Sequence, residues 1–217
     1  MGADTSTIID QIRSDIVDGA FGQGARLRID DLAGRYGVSP MPVREALNRL
    51  HGEGLVVIAQ NRGARVRQID ARFVENLFDI RAALEAMLAL RSAERRTDAD
   101  IEALKAEQER FEDFVSCRDY PAVLQSNKLF HQIVNEAGAN EEAYALSNKH
   151  WVLIATLWKR FGYQEERFAG VISDHRELIA ALEARDGSAA SAIMQAHVIK
   201  SKLKMLQVLK RHEDAQS

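Results

Sequence analysis

Residues 31–47 read DLAGRYGVSPMPVREAL, and this stretch decides the fold of the N-terminal third of the chain. It predicts a short helix, a turn at Gly37 and a second helix that carries Arg44 on its exposed face. Two helices joined by a glycine-containing turn form the motif with which compact domains place a helix in the major groove of DNA.

The flanking sequence completes a small domain. Apolar residues at helical spacing predict a first helix from Thr5 or Ser6 to Asp18, before the predicted helices 29–36 and 39–53. A β-branched run at 55–59, a turn at 61–63 and a return strand from Arg65 predict a two-stranded wing. We therefore expect a winged helix-turn-helix domain, with a small β-hairpin as its wing, over residues 1–69.

The rest of the chain, residues 70–217, lacks strand patterns and predicts an all-helical domain. Its helices are expected at 71–95, 98–117, 121–137, 141–161, 165–184 and 188–211. Six antiparallel helices form one bundle whose interior can hold a ligand. The predicted fold class is mainly α: a winged helix-turn-helix followed by a six-helix antiparallel bundle.

The distribution of charge favours a nucleic-acid partner for the first domain only. The whole chain of 217 residues has a net charge of −3, whereas residues 24–68 hold eight arginines against four acidic residues. The chain has no apolar run long enough for a membrane span and no signal-peptide pattern, and its single Cys117 fits a reducing compartment. We expect a cytoplasmic protein without a membrane partner.

Candidate DNA contacts lie on the second helix of the motif and on the wing. Arg44, Asn48 and Arg49 project away from the inward face of that helix, and an arginine can bind guanine or phosphate through two donors. The backbone amides of Ser39 and Met41 lie at the start of the helix, where a phosphate is favoured. The wing tip adds Arg62 and Gly63. An isolated arginine is also consistent with solvated surface, but the group within this motif favours DNA.

These residues resemble the GntR family of bacterial transcription regulators. The resemblance covers about residues 8–68 and rests on Gly37-Val38-Ser39, on residues 42–47 and on the Asn61-Arg62-Gly63 turn. It implies a homodimer on a palindromic double-stranded DNA operator. The family commonly has arginine and threonine where this chain has Pro40 and Met41, so the operator sequence does not carry over.

Three histidines fall on inward faces of the predicted bundle helices. His131, His175 and His197 lie on three different apolar stripes, and Asn127 lies one turn before His131 on the same face. Neutral imidazoles and an amide oxygen suit a divalent metal such as Zn²⁺ or Ni²⁺. The alternative is that each histidine is a hydrogen-bonded core residue.

The same positions resemble the FCD ligand-sensing domain of the FadR subfamily, closest to its VanR-like branch, over residues 70–211. Many metal-binding members have aspartate where this chain has Asn127. The resemblance implies a domain that senses a ligand and dimerises, in which Arg81, on an apolar stripe, binds a carboxylate. Lys159 or Arg160 is a candidate for a second contact with the ligand. The residues alone leave open that Arg81 only pairs with Glu85, one turn further on.

The sequence therefore predicts a DNA-binding repressor that is controlled by a small organic acid at a metal site. Two alternatives stay open: a regulator that senses the metal itself, and a metal-dependent hydrolase or lyase. An enzyme is disfavoured, because no inward carboxylate is expected near the histidines to act as a general base and because catalysis needs no DNA-reading helix.

Overall fold

The computed structural model describes residues 5–59, 63–162 and 165–214, with the backbone alone at Thr5, His150, Val152, Arg160 and Glu213. The strands are β1 (Arg26–Leu27), β2 (Val56–Ala59) and β3 (Gly63–Val66). The helices are α1 (Thr5–Val17), α2 (Ile29–Tyr36), α3 (Pro40–Gly52), α4 (Ala71–Arg95), α5 (Asp98–Cys117), α6 (Tyr120–Ala137), α7 (Glu141–Phe161), α8 (Phe168–Glu183) and α9 (Gly187–Asp214). The prediction of a mainly helical chain with a winged helix-turn-helix is confirmed. Across the described ranges, none of the helices is long and apolar enough to cross a membrane.

The chain divides into two compact units. One consists of residues 1–73 together with 152–162, and the other of residues 74–151 and 163–217. The last part of α7 therefore groups with the N-terminal unit, which sequence periodicity did not indicate. The boundary between residues 69 and 70 stays a prediction.

The N-terminal unit has a core built by α1 and α3. Ile8 and Ile12 of α1 are fully buried, as are Val43 and Leu50 of α3. The two residues of each pair are one or two helical turns apart, so both side chains lie on the same face of their helix. This core fixes the face of α3 that points outward.

The wing is a three-stranded antiparallel sheet in the order β1-β3-β2. Val56 of β2 pairs with Val66 of β3, as the predicted hairpin requires. The expectation of two strands was incomplete, because β1 adds to the other edge of β3 and places Arg26 opposite Arg65. A two-residue strand is too short to show an alternating pattern of apolar and polar residues, so β1 is recognised only by its pairing with β3.

The turn between α2 and α3 has the geometry that its sequence predicts, with one exception. Gly37 ends α2 in the left-handed conformation at φ 66°, which a glycine adopts without steric cost. Ser39 precedes α3 as its N-cap, but its side chain makes no capping hydrogen bond. The start of α3 is instead determined by Pro40 and Pro42, because proline has its φ fixed near the helical value.

The second unit contains α4, α5, α6, α8, α9 and the first part of α7. Its core includes Phe111 of α5, Val123 of α6 and Val171 of α8, so these three helices pack on one another. The expected bounds of α4, α5 and α7 agree with the structure. The helix expected at 165–184 begins instead as a 3-10 turn, Glu165–Arg167, before α8.

Candidate functional site

Helix α3 presents a polar face to solvent. Val43, Ala46, Leu47 and Leu50 point into the core, so Arg44, Asn48 and Arg49 are exposed. Arg49 approaches Glu53 at 3.5 Å, with 72% of its side chain exposed. No ion-pair partner of Arg44 occurs among the described residues, so its charge is available to an anion.

The start of α3 offers backbone donors. Ser39 and Met41 are exposed, and the prolines at 40 and 42 have no N–H. The amides of Ser39 and Met41 are therefore the available donors of the first helical turn. Because the positive end of the helix dipole lies at the same point, this turn is suited to a phosphate.

A groove of about 540 Å³ runs between α3 and the wing. Arg44 and Asn48 line it from α3, Gly63 lines it from β3, and Arg26 and Arg28 line it from β1 and the residue after it. Arg26 and Arg28 were missed from sequence, because the strand that positions them was missed. Arg62, the predicted wing-tip contact, lies outside the described residues.

Arginines also face each other across the wing. Arg26 of β1 is the direct partner of Arg65 on β3, and both side chains are exposed. Like charges directly opposite each other destabilise a sheet. A polyanion against this edge would relieve the repulsion.

In the second unit, the structure brings the three predicted histidines together. His131 of α6, His175 of α8 and His197 of α9 each offer a ring nitrogen within 4.8 Å of the others. All three are buried. We call them the histidine cluster. Phe130 stacks on His175, with ring centroids 3.9 Å apart and planes inclined by 4°, so the ring of His175 is held in one orientation.

Each histidine of the cluster is held through its Nδ1 atom by an acceptor from another helix. Nδ1 of His131 lies 2.6 Å from Glu85, Nδ1 of His175 lies 2.8 Å from Gln108, and Nδ1 of His197 lies 3.2 Å from Asp174. An acceptor at Nδ1 favours the tautomer whose lone pair is on Nε2. Sequence analysis did not identify these three residues as hydrogen-bond acceptors of the histidines. The prediction that no inward carboxylate lies near the histidines is wrong, since Glu85 and Asp174 are both buried and contact them.

The Nε2 atoms consequently face one another. Nε2 of His131 and of His197 are 3.2 Å apart. Nε2 of His175 is buried and has no hydrogen-bond partner in the described part of the chain. Burial lowers the pKa of His197 to about 4 and lowers the pKa of His175 well below its ordinary value, so both rings are neutral. Neutral rings with converging lone pairs can bind a cation.

Asn127 differs from the three histidines. It is half-buried on α6, and no hydrogen bond connects it to the histidine cluster in the described ranges. The structure thus brings the three predicted histidine ligands together, and the role of Asn127 as a fourth ligand stays a prediction.

Arg81 lies beside the cluster and has the partner that its sequence neighbours indicated. It is 3% exposed, and its Nε atom donates to Glu85 at 2.8 Å. Its guanidinium also lies over Trp151, 4.8 Å from the ring centroid. Burial acts to raise the pKa of Glu85, but Arg81 and His131 outweigh it and hold the pKa well below its usual range. The side chain of Arg160, the predicted second ligand contact, is outside the described residues.

A second arginine that the sequence did not indicate lies near the cluster. Arg167, in the 3-10 turn before α8, donates to the hydroxyl of Ser201, which itself donates to the carbonyl of His197 at 3.0 Å. Burial, followed by the charge of Arg81, lowers the pKa of Arg167 to about 10. Its position depends on a turn rather than on helical periodicity, which is why pattern analysis missed it.

An arginine-bearing helix-turn-helix with a wing, in a chain that also carries a helical unit with a buried polar site, defines the class of DNA-binding transcription regulators. Comparison with known families makes this specific. Residues 4–66 match the bacterial regulatory proteins of the gntR family, and residues 76–200 match the FCD domain. The chain belongs to the GntR family of regulators, with a C-terminal FCD domain.

Curated relatives support the same assignment. The chain is 28% identical over 200 residues to the HTH-type transcriptional repressor GlaR of Escherichia coli, which covers 87% of this chain and 89% of the relative. It is 31% identical over 215 residues to an HTH-type transcriptional regulator of Mycobacterium tuberculosis, covering 88% and 85%. The family and these relatives are regulators of transcription and not enzymes.

Solved structures have the same fold. McbR/YncC of E. coli superposes with a TM-score of 0.74 at 22% identity, covering 95% of this chain and 99% of that one. A transcriptional regulator from Rhodococcus sp. RHA1 gives 0.69 at 21% identity, covering 94% and 97%.

Proposed function

We propose that this regulator is a repressor that binds a palindromic operator as a homodimer and is released from it by a small carboxylate bound at a divalent metal in the FCD domain. The observation that carries the proposal is the histidine cluster, in which three buried imidazoles are held through Nδ1 and turn their Nε2 atoms toward one another. A hydrogen-bonded core histidine has no need of this arrangement.

The DNA-reading surface in this proposal is the exposed face of α3 with its N-terminal turn and the wing. Arg44, Asn48 and Arg49 would contact base edges and phosphates, and the amides of Ser39 and Met41 would bind a phosphate. Gly63 and Arg62 would approach the neighbouring backbone from the wing. Selection of duplexes from a random library, followed by fluorescence anisotropy, tests this surface. Full affinity in both Arg44→Ala and Arg49→Ala variants would contradict it.

Exposed apolar side chains on α4 and α9 support the homodimer. Lys202 of α9 binds Asp79 of α4 at 2.5 Å, so the two helices are neighbours. Ile80, Ile199 and Leu203 on the same helices are 51%, 36% and 54% exposed. Burial of such side chains against a second copy would be favourable, and a two-fold dimer matches a palindromic operator.

The residues of the histidine cluster fit a metal. Nε2 of His175 is a buried acceptor without a partner in the described part of the chain, and a buried polar atom without a partner is costly. His131, His175 and His197 would hold Zn²⁺ or Ni²⁺ through nitrogen, and the amide oxygen of Asn127 would be a weaker fourth ligand. When bound, the ion would supply a positive charge and an open coordination position for a carboxylate oxygen.

The Arg81 guanidinium would bind the same ligand. Its Nε atom is used by Glu85, and its two terminal nitrogens can donate to a carboxylate. Control of DNA binding requires that the ligand bind the two conformations of the regulator with different affinities. Ligand contacts that join α4 to α6, α8 and α9 provide such a difference, because they depend on how these helices pack.

Metal analysis and thermal unfolding test the sensory part of the proposal. We expect the purified protein to contain close to one Zn²⁺ or Ni²⁺ per chain, and His175→Ala to lose it. The His212→Ala variant changes an exposed histidine of α9 and should keep the metal. Stabilisation by an organic acid that disappears with chelator supports the proposal. A response of DNA affinity to metal alone, with none to any acid, would instead identify the metal as the signal.

A further inference from the structure

Two arginines border the histidine cluster from different elements. Arg81 of α4 connects to His131 through Glu85, which binds both at 2.8 and 2.6 Å. Arg167 connects to His197 through Ser201. Each arginine is thus connected to a different histidine of the cluster through one intermediate residue, and the charge of Arg81 contributes to lowering the pKa of Arg167.

The charges around the cluster balance without a ligand. Arg81 and Arg167 are matched by two buried carboxylates, Glu85 and Asp174, both of which also hold cluster histidines. Lys200 adds a positive charge at 2.5 Å from Asp174, although it is 61% exposed. Among the described residues near the cluster, the protein groups therefore sum to zero or to one positive charge.

A divalent metal on neutral histidines changes this balance to two or three positive charges. A ligand with one carboxylate would leave at least one buried positive charge uncompensated, which is unfavourable in a protein interior. A ligand with two carboxylates would return the site to zero or one positive charge, which is its balance without the metal. Each arginine also carries a planar guanidinium, the group that binds carboxylates most specifically in proteins.

We propose that the effector is a small dicarboxylic acid, with one carboxylate bound by Arg81 and the metal and the other bound by Arg167. This inference rests on the proposed function and names its ligand class. Arg167 then selects ligands with two carboxylates over those with one.

The experiment compares each dicarboxylate with its own monoamide, which has the same shape and one charge less. Titration calorimetry is carried out on the full-length zinc-loaded protein with succinate, malate, tartrate and glutarate, with their monoamides, and with inorganic phosphate. At least one dicarboxylate should bind about 10- to 100-fold more tightly than its monoamide, which is the range for a lost charged hydrogen bond. In Arg167→Gln this preference should fall to about twofold or less.

The matched control is Arg176→Gln, which removes an exposed arginine of α8 that pairs with Glu112 and should leave the preference intact. Equal binding of the dicarboxylates and their monoamides overturns the dicarboxylate assignment but leaves the metal-dependent carboxylate sensor standing. Tightest binding of phosphate overturns it as well. Failure of every acid to bind the zinc-loaded protein overturns both. If Arg167→Gln does not fold, the comparison of acid with monoamide on the natural protein decides the question.

Discussion

Replacement of Glu85 by glutamine should destabilise the FCD domain more than any single exposed substitution. Glu85 is fully buried and binds Arg81, His131 and Ser147 at 2.8, 2.6 and 3.2 Å. Glutamine has about the same size as glutamate but carries no charge. The Arg81 side chain, which is only 4% exposed, would therefore lose its counter-charge. Breaking a buried ion pair in this way costs about 3–5 kcal/mol. For a chain of this size, that is a fall in Tm of about 6–20 °C.

The assay is thermal and urea unfolding at pH 7 in chelator, so that the free energy of unfolding has no contribution from bound metal. The double variant Arg81→Met with Glu85→Leu removes both charges and fills similar space, and it should recover most of the lost stability. The control Glu112→Gln breaks an exposed pair with Arg176 and should cost less than about 1 kcal/mol. A loss below about 1 kcal/mol for Glu85→Gln, or a double variant no more stable than the single one, would refute the reasoning.

The effect of pH has a defined sign. Because the fold lowers the pKa of Glu85 from its ordinary value of 4.5, the carboxylate stabilises the folded state wherever the unfolded chain is also ionised. Its contribution is complete above the ordinary pKa and is lost as the pH falls through the lowered value. The stability difference between the natural protein and Glu85→Gln should therefore be constant near neutral pH and should narrow in strong acid.

Three further outcomes follow from the structure. Arg44→Ala should weaken operator binding about 10-fold or more in fluorescence anisotropy, and unchanged affinity would exclude Arg44 from the interface. Gly138→Ala should lower the free energy of unfolding by about 1–3 kcal/mol, because the Cβ of the new alanine would lie 2.8 Å from the Leu88 carbonyl oxygen. The control Gly34→Ala places a Cβ in open space on a helix, so the free energy of unfolding should be unchanged or should rise by up to about 1 kcal/mol. Leu203→Glu should convert a dimer to a monomer by light scattering, and an unchanged mass would remove this residue from the dimer interface.

Helical periodicity predicted most of the fold, because long amphipathic helices carry their own pattern. The bounds of α4 and α5 agree with the structure at both ends. Strand β1 could not be predicted in this way, since Arg26 and Leu27 form a strand only by pairing with Arg65 and Ala64. Sequence shows what a segment favours locally, whereas such an edge strand depends on a distant partner.

The candidate metal site, like the fold, was predicted from sequence only in part. The three histidines were found because each occupies an apolar stripe on its own helix. The residues that orient them come from elsewhere: Glu85 from α4 and Gln108 from α5 reach their partners only through packing of the helices. Asn127 as a fourth ligand stays a prediction, which rests on the helical spacing that places it on the same face of α6 as His131.

The two prolines at the start of α3 have a consequence for how the protein discriminates between DNA sequences. Pro40 and Pro42 fix their own φ angles, and Gly37 holds the preceding turn at φ 66°. A backbone restricted in this way has little conformational entropy to lose when it docks. It also has little capacity to adjust, so in the proposed complex the first turn of α3 would accept only a narrow range of phosphate positions. Operators whose backbone departs from that spacing should be rejected even where their bases are correct.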